Sequence, residues 1–185
     1  MNNQLNKVNQ YYSKKKSIRK IVLKNVGKDE IIYGQSALNR QLPKKLRVHT
    51  EDYDIFAKNP REEAKQLEKA LDKHFSGNYF TTKPAIHKGT FKVISKIDGK
   101  TYADYTLLKK KTPYKIINGK KYVTLEYIKR DKIKILKDPE AKFRHAKEKD
   151  ALNRLLLAER LKRQRKRIAR RPAPRPQARF GLMRL

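Results

Sequence analysis

Asp52 and Asp54 set two carboxylates two residues apart, at the start of a short run over 53–56 that alternates as a strand does and that Asp52 immediately precedes. Side chains two apart on a strand point to one face, so the two acids project together. Neighbouring carboxylates repel each other unless a cation lies between them. A hard divalent ion suits that arrangement. Mg²⁺ or Mn²⁺ fits best, because the chain has no cysteine and its four histidines, His49, His74, His87 and His145, lack zinc-ligand spacing. A third acid, Asp104, lies inside Tyr102-Ala103-Asp104-Tyr105-Thr106, a run otherwise fit for burial, and a lone acid there needs a partner. Asp98 lies near but belongs to a turn.

The elements that must position these acids follow from pattern and punctuation. Residues 1–16 are polar, end in three lysines and read as a flexible basic arm. Ser17 is placed to cap a short helix running to Val26 and ended by Gly27. Residues 30–33 read as a short buried strand that stops at Gly34, and 36–42 as a short helix closed by Pro43. A basic loop over 44–49 leads to the strand that bears Asp54. Asn59-Pro60 reads as an N-cap followed by proline at the first helical position, opening a helix to about Phe75. Its apolar stripe is Ala64, Leu67, Ala70, Leu71 and Phe75. Asp98-Gly99 joins residues 90–97 and 100–107 as a hairpin, and Asn118-Gly119 joins 114–117 to a strand over 121–128. Asp138-Pro139 opens the last helix, through Ala158 or further, with Phe143, Ala146, Leu152, Leu155, Leu156 and Leu157 on its apolar face. Tyr102, Tyr105 and Tyr114 read as half-buried strand residues rather than base-stacking ones.

Charge points to the partner. Lys and Arg number 49 against 18 Asp and Glu, a formal net charge of +31. Arg160 and the residues after it hold eleven Lys and Arg and no acid, yet the rest of the chain remains strongly positive. Such a chain attracts polyanions, nucleic acid first and anionic membrane second. No apolar run is long enough to span a bilayer, and the lysine-rich start lacks the apolar centre of a secretory signal, so the expectation is a cytoplasmic protein, with virion or nucleus as other sites. From Leu161 onward Lys162, Arg163, Arg165, Lys166, Arg167, Arg170 and Arg171 are interleaved with few apolar groups, and proline alternates with Ala and Arg after them. Residues 161–185 are therefore expected to form a disordered tail that binds nucleic acid, behind a single domain over 17–160.

The run Tyr33-Gly34-Gln35-Ser36-Ala37-Leu38, with Arg47, Thr50 and Asp52-Tyr53-Asp54-Ile55-Phe56, resembles the polymerase-β-type nucleotidyltransferase superfamily. The likeness is to small members with a Gly-Gly-Ser/Thr-Ala-Leu opening, among them viral poly(A)-polymerase-like domains and toxin-type bacterial transferases. It covers roughly 30–108 and reaches more weakly to 157. The resemblance implies an α+β nucleotidyltransferase fold, a small mixed sheet flanked by helices. It implies Asp52, Asp54 and Asp104 as catalytic and metal-holding acids, an NTP as donor, and Gly34 and Ser36 on its phosphates. On the last helix, Lys147, Lys149-Asp150 and Asn153 fall in the register of a toxin-type motif, which assigns Lys147 and Asp150 to nucleotide contact. Gln35 stands where the family has its second glycine; its side chain either crowds the phosphates or offers them an amide donor.

Two readings follow. The first is a metal-dependent enzyme that moves a nucleotidyl group from an NTP to a hydroxyl, on RNA ahead of DNA, with a transfer-RNA or protein acceptor as a variant. The second is a degenerate member that keeps the fold and binds, or is packaged with, nucleic acid.

Overall fold

The alternating burial of Tyr53, Ile55 and Ala57 makes β2 (Tyr53–Ala57) the central strand of a seven-stranded mixed sheet. The computed structural model describes residues 2–108 and 112–169. On one side β2 pairs antiparallel with β1 (Ile31–Tyr33), and on the other it runs parallel to β5 (Thr101–Leu107). Beyond β5 lie β4 (Thr90–Ser95) and β3 (Phe80–Pro84). Beyond β1 lie β7 (Lys120–Val123), parallel to it, and β6 (Tyr114–Ile117). The helices are α1 (Asn2–Lys14), α2 (Ile18–Asn25), α3 (Gly34–Gln41), α4 (Pro60–Phe75), α5 (Leu125–Lys137) and α6 (His145–Ala169). This is the expected α+β arrangement, a mixed sheet flanked by helices. Among the described residues no helix is long and apolar enough to cross a membrane.

The sheet has two unlike faces. Ile32, Ile55, Val93, Ala103 and Tyr105 are buried together with Leu67, Leu71 and Phe75 of α4 and Ile18 and Val22 of α2. Each large side chain fully buried there contributes about 1.5–3 kcal/mol. The other face carries one row across four strands: Tyr33 opposite Asp54, Asp54 opposite Asp104, Asp104 opposite Lys92. The register slips between Val93 and Ile94, so Ala103 faces Val93 while Thr101 faces Ile94. Tyr102 is the extra residue. That bulge lets Tyr102 bury itself against Phe80 while Asp104, two positions on, stays on the opposite face.

Several expectations need correction. The first segment is not an arm: it is helical, and Tyr11 is fully buried beside Phe75, Tyr79 and Phe80, sharing a 2.9 Å hydrogen bond with Tyr102. One aromatic slot outweighs the polar composition around it. Ser17 and Asn59 do not cap with their side chains; the Ser17 hydroxyl donates to the Lys14 carbonyl instead. The strand expected over 121–128 ends at Val123, because Thr124 caps a helix by accepting from the Tyr127 N–H at 3.3 Å. Strand β3 was not foreseen. The last helix opens with a 3-10 segment, Pro139–Arg144, in which Phe143 is exposed rather than apolar packing. Helix α6 then continues to Ala169, so residues 161–169 are helical rather than disordered, in keeping with the strong helix propensity of Lys, Arg and Gln. Arg170, Arg171 and the rest of the expected tail lie outside the described residues.

Candidate active site

Gly34 makes the corner on which the site is built. Its φ is +62°, a left-handed value that turns β1 directly into α3. A Cβ at this position would collide with the Asp54 carboxylate. The first N–H groups of α3 have no intrahelical acceptor and carry the positive end of the helix dipole, so this end of α3 is suited to an anion. Gly34 and Gln35 border a cavity of about 400 Å³ that Asp52 and Asp54 also line. Lys132 of α5 and Lys147, Asp150 and Arg154 of α6 close its other side.

Asp52 lies just ahead of β2. Its Oδ1 accepts from the Thr50 hydroxyl at 2.6 Å, and its carbonyl accepts from the Ser36 hydroxyl at 2.9 Å. Asp54 and Asp104 are direct neighbours on parallel strands. Burial, then the nearby charges of Asp52 and Asp104, push the Asp54 carboxyl up to about 7; Lys147 and Lys132 act against this. Burial also raises Asp104, opposed by Lys92, whose Nζ lies 3.3 Å from Asp104 Oδ2. Asp104 Oδ1 is buried without a hydrogen-bond partner.

Among the described residues no three His, Cys, Asp or Glu side chains stand together as a ready metal-binding group. Asp52 and Asp54 share the cavity wall, while Asp104 is turned to Lys92. The residues nevertheless fit a hard cation by two observations: an orphaned buried oxygen on Asp104, and a desolvated Asp54 strained by two like charges. The donors are all oxygen, which suits Mg²⁺ or Mn²⁺.

The remaining expected residues divide. Lys147 and Asp150 line the cavity. The Ser36 hydroxyl is buried and donates to the Asp52 carbonyl at 2.9 Å, and Ser36 does not line this cavity. The Gln35 amide is held at both ends. It donates to Asn39 Oδ1 at 2.9 Å and accepts from Arg154 at 3.3 Å. Lys162, Arg163, Arg165, Lys166 and Arg167 lie on the far end of α6, away from this cavity.

Sequence reasoning missed several cavity residues. Arg154 bonds Asp150 at 2.8 Å and reaches the Leu46 carbonyl, tying α6 to the loop before the acids. It supplies a guanidinium fork one helical turn beyond Asp150. Glu148 is 1% exposed between Lys132, at 2.5 Å, and Arg144, at 2.8 Å. The i, i+4 spacings 144/148 and 150/154 were the available signal. Lys132 and Asp131 were hidden by reading the start of their helix as strand.

The chain shares its fold with a solved polyadenylate synthase. Among solved structures, the crystal structure of the Megavirus polyadenylate synthase matches it with a TM-score of 0.68 and 20% sequence identity, over 80% of this chain and 32% of that one. The chain thus spans about a third of that protein's length. No family model and no curated protein matches the sequence.

Proposed function

We propose that this chain is a metal-dependent nucleotidyltransferase that moves a nucleotidyl group from an NTP to a hydroxyl, with RNA as the acceptor. The observation that carries this reading is the register of Asp54 with Asp104, beside a glycine turn that leaves room for the Asp54 carboxylate and opens a helix N-terminus on the same cavity. Asp52, Asp54 and Asp104 would hold Mg²⁺ or Mn²⁺, which when bound supplies Lewis-acid polarisation of the phosphate and eases ionisation of the acceptor hydroxyl. The N–H groups at the start of α3 bind triphosphate oxygens. Lys147 adds positive charge at the cavity wall. Arg154, braced by Asp150, fixes the Gln35 side chain beside the phosphates. A P–O bond forms to the acceptor oxygen as the bond to the leaving pyrophosphate breaks, and Asp104 would take the hydroxyl proton.

Purified protein, Mg²⁺ and labelled NTP should label an RNA oligonucleotide, and Asp54→Asn should abolish labelling. Equal behaviour of wild type and variant sinks the catalytic reading.

The ion pair of Lys92 with Asp104 favours a second reading, a domain that keeps the fold and binds nucleic acid without transfer. NTP with Mg²⁺ should raise the Tm of a working site and leave that of a degenerate one unchanged.

A further inference from the structure

Helices α3 and α6 frame the acid cavity with their N-terminal parts and build a second cleft with their C-terminal parts. This cleft encloses about 520 Å³. Arg40, Arg47, Lys115, Lys162, Arg165 and Lys166 reach it from α3, the loop after it, β6 and α6. Leu42 and Leu125 are among its apolar lining. Two acids border it, and one of these, Glu159, is held by Lys129 at 3.1 Å. Lys162, Arg165 and Lys166 share one helix face at spacings where like charges repel, so an anion between them relieves the helix. The Arg47 Nε donates to the Leu42 carbonyl at 2.9 Å, which holds its guanidinium in place before any ligand arrives.

We infer that this cleft binds single-stranded RNA, its phosphates on the cationic walls and its bases against the apolar floor. Exposed bases use such a floor, whereas a duplex keeps its bases stacked inside. A lipid surface, being flat, meets a concave site poorly. From Asp150 to Lys162, α6 advances about 18 Å, so a strand in the cleft lies along the helix that also walls the acid cavity. The inference rests on RNA as partner and not on the transfer reaction.

The test uses the full chain and a fluorescent single-stranded RNA, without NTP or divalent cation, by anisotropy over a salt series. Arg40→Gln with Lys115→Gln should weaken binding about tenfold and reduce the log–log salt slope by about 1.4, at about 0.7 per phosphate released. Lys20→Gln with Lys24→Gln removes equal charge from an exposed face of α2 and should change affinity less than about twofold. Equal weakening in both pairs assigns the affinity to diffuse net charge and overturns the inference, as does no weakening in either. Loss of binding to phosphatidylserine vesicles with RNA binding intact also overturns it. If the Arg40 variant melts early, Lys115→Glu alone must show the RNA defect. Asp54→Asn should bind RNA as wild type does, so a chain inactive in transfer still tests the cleft.

Discussion

Gly34 answers to backbone and side-chain sterics at once. Alanine there adopts a left-handed conformation at a cost of about 1–2 kcal/mol and drives a methyl into the Asp54 carboxylate. Gly34→Ala should therefore lower the urea midpoint and abolish NTP-dependent stabilisation together. A loss of the second without the first would place the whole effect at the cavity. Gln35 invites the opposite change. Gln35→Gly removes a side chain from the cavity wall and should lower the KM for NTP; an unchanged KM would show that the side chain, held by Asn39 and Arg154, leaves the phosphates free.

Buried carboxylates also set the pH response of the unliganded chain. Burial raises Glu30 to about 7, with partial relief from the Gly27 N–H. A carboxyl whose folded pKa exceeds its unfolded one, about 4.3 for Glu, contributes stability that is complete below the unfolded value and lost as pH rises through the folded one. Asp54 has the same sign. Tm should fall between pH 5 and 8, and Glu30→Gln should flatten part of that fall. A Tm that rises over this range would contradict the burial of these groups.

Among the elements, α5 is the least visible in the sequence and among the most consequential in the structure. Thr124→Ala removes its cap and should cost about 1 kcal/mol in urea unfolding. Glu148→Ala leaves Lys132 buried without its partner and should cost about 3–5 kcal/mol; a cost below about 1 kcal/mol would mean Lys132 reaches water freely. The same helix explains where sequence reading stopped. The two hairpins were legible because Gly99 and Asn118-Gly119 need left-handed backbone, which few other residues supply. Helix α4 was legible from its stripe. Helix α5 was not, because Lys132 sits in its buried face and breaks the apolar period. The two cavity acids and the glycine corner were legible from spacing. The cross-strand register that sets Asp104 beside Asp54, and the diversion of Asp104 to Lys92, are pairings between distant segments that no local pattern encodes.

For the whole molecule, a net charge of +31 acts against compactness through self-repulsion. Added salt screens that repulsion, so Tm should rise as ionic strength increases from low values. A Tm that falls with salt would mean that local ion pairs outweigh the global field. The same salt weakens RNA binding, so stability and affinity should move in opposite directions along one titration.

The burial of Tyr11 has a consequence during synthesis. Its hydrogen-bond partner Tyr102 lies 91 residues later, and the aromatic slot between them is completed by Phe75 and Phe80. At about 5–20 residues per second, a nascent Tyr11 waits about 5–20 s before the walls of its slot exist. Helix α1 is thus made early and docked late. Ribosome-stalled chains ending before Tyr102 clears the exit tunnel should leave α1 open to protease, and longer ones should protect it.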